Sequence, residues 1–294
     1  MADATLHMGY IGSVAIDGTS YFMSGSSLNP TQTVEAPDLV AGSIMRRGWV
    51  YGKVSPAGNI SGPLHTGSDD LWPTAFDRTS DYDHLLHDDI AVEIHFYKQG
   101  GWLFSKCVIG KLDISATAGE VVNFTADFAG QDVVADASGD ATAVTCSKLV
   151  TWDRVQFGTN ISSGLDYLQS VNLSLNNNVQ PLYAIQGTSV DDNDLYPVDL
   201  PCGVREITGS ISAYAQKSIG LFTSGDNIGA DRWIDYTATN AAKTITFAVA
   251  GDSGSILNVE FQAIFSRPEG TGQTGPAIYT LNFTAVCEPS GETA

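Results

Sequence analysis

Along most of the chain apolar and polar residues alternate with a period of two, the spacing of a half-buried β-strand rather than of a helix. The run VNLSLN places Val171, Leu173 and Leu175 on one face and Asn172, Ser174 and Asn176 on the other. VVNFTADFAG sets Val122, Phe124, Ala126 and Phe128 on one face, and REITGSISAY does so with Ile207, Ile211 and Ala213. ILNVEFQAIF aligns Leu257, Val259, Phe261, Ala263 and Phe265. IYTLNFTAVC aligns Tyr279, Leu281, Phe283, Ala285 and Cys287 opposite Thr280, Asn282 and Thr284. Such strands predict sheets packed on one side, with the other side wet or against a neighbour. IAVEIHFYKQGGWLFSKCVIGKLDIS predicts a hairpin turning around Gln99, Gly100 and Gly101. KTITFAVAGDSGSILNVEFQAIF predicts another, turning at Gly251 to Ser255. Helical signal is confined to two short stretches, 71–89 and 218–227. The expected class is all-β.

The pattern also repeats. NISG at 59–62 is echoed by EITG at 206–209, NFTADF at 123–128 by NFTAVC at 282–287, and the order of features recurs. This predicts an internal duplication, with β-domains at 1–143 and 144–294 that meet in the small, polar tract DASGDATAVTCSK (136–148). Two long stretches, 23–48 and 186–203, lack periodicity and read as surface loops or as arms that order against neighbouring subunits.

Composition narrows the function classes. The 294 residues are 43% hydrophobic and 16% charged, with 30 glycines, which suits real cores, many turns and uncharged strand faces. There are 33 acidic against 14 basic residues, a net charge of −19. Such a surface repels nucleic-acid phosphates and argues against a wrapped or sequence-specific DNA complex, though not against a protein past which DNA slides. Acidity that merely keeps an abundant protein soluble fits as well. The start, MADATLHMGYIGSV, lacks the basic and apolar regions of a signal peptide. No window reaches the roughly 18 apolar residues of a membrane span. Cys107, Cys146, Cys202 and Cys287 lie far apart, as buried thiols of a protein made in a reducing cytoplasm do.

Candidate chemistry is sparse. GDSGS, Gly251 to Ser255, resembles the nucleophile loop of chymotrypsin-like proteases. None of His7, His65, His84, His87 or His95 has that family's sequence setting, and Asp252, Ser253 and Gly254 are ordinary turn residues. DYDHLLHDD sets His84 and His87 among Asp81, Asp83, Asp88 and Asp89 but lacks a third ligand at recognisable spacing, so a solvated acidic turn is the better reading. DDNDLYPVD (191–199) lacks the central glycine and terminal glutamate of a calcium loop. No phosphate-cradling glycine motif appears. No catalytic residue, metal site or cofactor is expected.

The tract LQSVNLSLNNNVQPLYAIQG, followed by LPCGVREITGSISAY, resembles the central signature of tailed-phage tail tube proteins. The matching residues are Asn176, Asn177 and Asn178, then Gly203, Arg205, Thr208, Gly209 and Ser210. GKLDISATAGEVVNFTADFAGQD resembles the N-terminal half of the same family, so the likeness covers about half of the chain. It implies a β-sandwich or barrel whose sheet joins those of its neighbours in a ring. Rings stack into a hollow tube, with loops crossing between them, and DNA and the tape-measure protein occupy the lumen. A duplicated chain would form a trimeric pseudo-hexamer, a single elaborated domain a hexamer. The resemblance further implies tail-end proteins as partners, genomic DNA passing non-specifically during ejection, no membrane insertion, and a place in the virion tail after assembly in the bacterial cytoplasm. A flexible, non-contractile tail is preferred.

Asp113, Asp127, Glu206 and Glu260 lie on non-core faces of strand-like runs and are the candidate lumen-facing acids; Arg46 and Arg47 are candidates for inter-ring ion pairs. The polar strand face may not be assumed to point inward, because alternation does not say which face is which. The alternative from the binding class is a β-sandwich adhesin of the virion surface using Trp49, Tyr51, Trp72 and Trp102. The β-rich protease acting through Ser253 stands behind both.

Overall fold

The computed structural model describes residues 11–35, 50–66, 71, 75, 90–96, 100–136, 148–159, 168–184, 195–214, 242–252, 255–266, 269–271 and 278–286. Within them the chain is almost entirely strand. The first eight are β1 (Ile11–Ile16), β2 (Thr19–Tyr21), β3 (Gly25–Ser26), β4 (Asn29–Glu35), β5 (Val50–Pro63), β6 (Ile90–Phe96), β7 (Gly100–Thr117) and β8 (Asn123–Asp136). A 3-10 turn at Trp152–Arg154 leads into β9 (Val155–Thr159). Then follow β10 (Leu168–Asn176), β11 (Glu206–Tyr214), β12 (Lys243–Ala250), β13 (Ser255–Phe265), β14 (Glu269–Thr271) and β15 (Ile278–Ala285). All join one antiparallel sheet system, as the class read from alternation requires.

The same order of pairing occurs twice. Strands β4, β5, β8, β7, β6 and β1 are successive neighbours, and so are β10, β11, β15, β13, β12 and β9. The two series meet where β7 pairs β10. Strand β7 makes this junction because it is long enough to change partners. One edge pairs β8 from Gly101 to Ser115, while the other pairs β6 as far as Cys107 and β10 from Lys111 onward. At the changeover Ile109 faces Phe128 but Lys111 faces Asp127, so Gly110 is an extra residue in β7. This bulge moves the buried positions from Cys107 and Ile109 to Leu112, Ile114 and Ala116 without turning the strand out of the core.

The alternating faces pack as expected: Val122, Phe124, Ala126, Phe128, Val171, Leu173, Leu175, Ile207, Ile211, Ala213, Leu257, Val259, Phe261, Ala263, Leu281 and Phe283 are all buried. The sheet folds back on itself, since Phe157 of β9 lies 6.0 Å from Phe283 of β15 although β13 and β12 separate them in the pairing order. Val150 ties in the start of this second series: its N–H donates to the Leu64 carbonyl and its own carbonyl accepts from Val122.

Several expectations need correction. The stretch 23–48 is not wholly loop, because β3 and β4 pair β5. Residues 31–33 are exposed, so alternation had no apolar face to reveal there, and the ladder to β5 holds the segment instead. In 186–203, Leu182 bridges Asp199 and the Gln180 N–H donates to the Pro201 carbonyl, making an irregular ribbon of its later part. Gly100 and Gly101, expected in the first hairpin's turn, instead pair Phe96 and His95 within the strands, and Gln99 lies outside the described residues. The possible helix at 218–227 and most of 71–89 also lie outside them; Leu71 and Ala75 are buried.

Gly209 sits opposite Phe283, and a methyl group added to it would overlap the Phe283 ring and the Asn172 carbonyl. Gly209→Ala is therefore expected to lower unfolding free energy by about 1–3 kcal/mol, read as a lower denaturant midpoint at unchanged slope.

Candidate functional site

Asn177 follows β10, where the chain leaves the sheet beside the β7 bulge, and its side chain is buried. Its Nδ2 donates to the Ile109 carbonyl at 2.8 Å and the Ala75 carbonyl at 3.0 Å, and its backbone N–H donates to the Gly110 carbonyl at 2.8 Å. Its Oδ1 accepts from Arg205 Nε at 2.8 Å. The flanking asparagines shape the turn: the Asn178 N–H donates to Asn176 Oδ1, and Asn178 takes the left-handed conformation with φ 51°. Gly203 fits against this turn, since a Cβ there would lie 3.1 Å from the Asn178 Cβ. The asparagine run and the Gly-x-Arg segment, 25 or more residues apart in sequence, are thus one polar lock.

From this lock a polar face extends over the side of β8, β7, β10, β11 and β15 away from the core. Its first row is Asp127, Lys111, Asn176 and Glu206, paired strand to strand. The next is Thr125, Asp113, Ser174, Thr208 and Thr284, and the third is Asn123, Ser115, Asn172, Ser210 and Asn282. An open groove of about 530 Å³ runs along it beside Asp113, Asn172, Ser174, Thr208, Ser210 and Thr284. Asn172 Nδ2 donates to Ser210 Oγ at 3.3 Å, and the Ser212 and Thr280 hydroxyls lie 3.0 Å apart.

The structure brings Asp113, Asp127 and Glu206 to one end of this face. Glu260 lies on the same side of the sheet, on β13 opposite Thr246, but further across. Lys111, absent from the expected set, stands among the acids and donates to Asp113 Oδ2 at 2.6 Å. The signal for this neutralised pair was the Lys-x-Asp spacing in GKLDIS, which puts both residues on one strand face. Burial pushes the Asp127 carboxyl above its usual 3.8, with Asp113 adding to the rise and Lys111 opposing it.

The remaining candidates are dispersed or lie outside the described residues. Arg46, Arg47, Trp49, Trp72, Ser253 and the segment 81–89 are outside them. Asp252 closes the β12–β13 hairpin and is held 2.7 Å from Arg154 and 3.5 Å from Lys148, a hydrogen bond and charges that lower its pKa. His65 is buried against Tyr21 and Phe22, and its Nε2 lies 3.1 Å from the Ser20 carbonyl. Trp102 packs against the core and Tyr51 pairs Val34 in the β4–β5 ladder.

Residues 3–285 match the family described as phage tail tube protein, and the chain belongs to that family. No curated protein matches it. Family membership makes the chain a structural component of the phage tail and implies self-assembly into the tail tube.

Asn177→Ala removes the partners of two carbonyls and of Arg205 at a buried site, so a loss of about 2–4 kcal/mol is expected in chemical unfolding. Asn177→Asp, which sets a carboxylate against those carbonyls, is expected to be no better tolerated. Asp127 titrates higher in the folded chain than in the unfolded one. Its ionised form therefore disfavours folding above the folded pKa, and this penalty vanishes below about 3.8. Asp127→Asn is expected to stabilise at pH 7, with the gain fading on acidification, as thermal unfolding against pH will read.

Proposed function

We propose that the chain forms stacked rings whose bore is the conduit for DNA ejection, with the polar face of β8, β7, β10, β11 and β15 as inner wall. The observation that carries this reading is the chemistry of that face. Its central rows are serine, threonine and asparagine, its acids are Asp113, Asp127 and Glu206, and its cation Lys111 is paired. DNA binding draws on cations that displace counterions from phosphate; a wall of hydroxyls and amides with paired or negative charge supplies little of that attraction. A polyanion is then confined without being held. The wall has no catalytic part in this reading.

The two series of strand pairings support two tube units per chain, at 1–143 and 144–294, and hence a trimeric ring of six units. The tape-measure protein would fill the bore before DNA does, and tail-end proteins would cap the stack. Assembly is assigned to the host cytoplasm.

Placing lysines on the wall tests the assignment. Phage carrying Ser210→Lys and Asn282→Lys are expected to build tails of normal length but to eject DNA several-fold more slowly at low salt, with recovery as salt rises. Normal ejection at every salt concentration, from tails shown to contain the variant, would place the face outside the bore. Electron microscopy of the same tails reads the ring symmetry, and six chains per ring would overturn the two-unit assignment.

A further inference from the structure

The two strand series agree in register as well as in order. In the first, Gly62 faces Phe124 and Ser61 faces Thr125; in the second, Gly209 faces Phe283 and Thr208 faces Thr284. Asp113 faces Thr125 as Ile264 faces Thr284, and Leu112 faces Ala126 as Ala263 faces Ala285. One step on, Lys111 faces Asp127, and at the same place in the second series the Val286 N–H donates to the Gln262 carbonyl. Positions on the polar face of one series therefore have counterparts in the other.

The third row repeats itself. Ser115 faces Asn123 in the first series, and in the second the Ser266 N–H donates to the Asn282 carbonyl. The other two rows do not repeat. Where the first series carries Lys111, Asp113 and Asp127, the second carries Gln262, Ile264 and Val286. The cation and both carboxylates beside it are exchanged together. Acids do stand opposite neutral residues on this face, as Glu206 does opposite Asn176 and Glu260 opposite Thr246. Lys111, the one cation of the three rows, has a carboxylate beside it on its own strand and another facing it from β8.

Folding does not account for this arrangement. The Lys111 and Asp113 side chains are 41% and 38% exposed, and so exposed an ion pair adds little stability. The second series fills the counterpart positions of the same sheet with no charge at all. What Asp113 changes is what the lysine presents to a passing polyanion. An unpaired ammonium on the wall would displace counterions from phosphate and hold it. Lys111 instead has Asp113 Oδ2 at 2.6 Å, and its charge reaches Asp127 as well, drawing that carboxyl down against the effect of burial.

We infer that Asp113 is a specificity residue of the conduit, one that masks Lys111 from DNA phosphate. The second series reaches the same non-adhesive state by carrying no charge at the three counterpart positions. Lys111 in return relieves the repulsion between Asp113 and Asp127. The masking rests on the reading of this face as the inner wall.

Phage carrying Asp113→Asn are expected to build tails of normal length and to eject DNA several-fold more slowly than the parent at low salt, with recovery as salt rises. Adding Lys111→Gln, which copies the second series, is expected to return ejection to the parent's rate; a merely structural role of Asp113 would not produce that rescue. If Asp113→Asn phage make no tails, Asp113→Ile, copied from the counterpart position, uncovers the same lysine and takes its place. Ejection at the parent's rate at every salt concentration, from tails shown to contain the variant, would overturn the masking. So would slow ejection that Lys111→Gln does not relieve. The Ser210→Lys, Asn282→Lys phage separate this failure from that of the wall. If they are slowed and Asp113→Asn is not, the face lines the bore and the masking alone falls; if neither is slowed, both fall.

Discussion

A strand that changes partners along one edge leaves backbone groups behind at the changeover, and the fold depends on how these are satisfied. β6 leaves β7 after Cys107 and β10 joins at Lys111. Between them the carbonyls of Ile109 and Gly110 would be buried without strand partners, each a penalty comparable to a lost hydrogen bond. Asn177 answers both, one with its side chain and one with its backbone N–H, and Arg205 fixes the orientation of its amide. The bulge at Gly110 keeps Ile109 and Leu112 in the same core on either side of that gap. The union of the two strand series therefore rests on one asparagine as much as on the apolar rows beneath it.

The polar face follows from a related constraint. A strand position that must stay wet, avoid excess charge and still favour extended backbone is well served by threonine, and by serine or asparagine where a cross-strand partner is at hand. Hydrogen bonds such as Asn172 to Ser210 tie neighbouring strands with no ion pair. Charge enters as the pair Lys111 and Asp113, with Asp127 and Glu206 in the row that holds Lys111. An acidic protein with net charge −19 thus carries a broad sheet face of mainly neutral hydrogen-bonding groups.

Much of this was legible in the residues. Alternation identified β8, β10, β11, β13 and β15 and their buried sides, because each strand has one dry face. It failed for β4, which is exposed and polar along 31–33, where only the ladder to β5 reveals the strand. The motif Asn176 to Asn178 with Gly203 and Arg205 was visible as a family likeness, but its role was not. Nothing local says that Asn177 will meet carbonyls at Ile109 and Ala75, because those contacts depend on which strand lies beside β10. The four candidate acids were legible as non-core positions. That three of them gather around Lys111 follows from long-range register, which a period of two leaves open.

The apolar pair at the junction of the two series bears on when that junction forms. Inside the chain the core-side pair is Leu175 against Leu112, both buried. Such an edge left open on a free subunit would be a ready site for indiscriminate strand addition. It is formed during folding, when its partner is tethered and at high effective concentration.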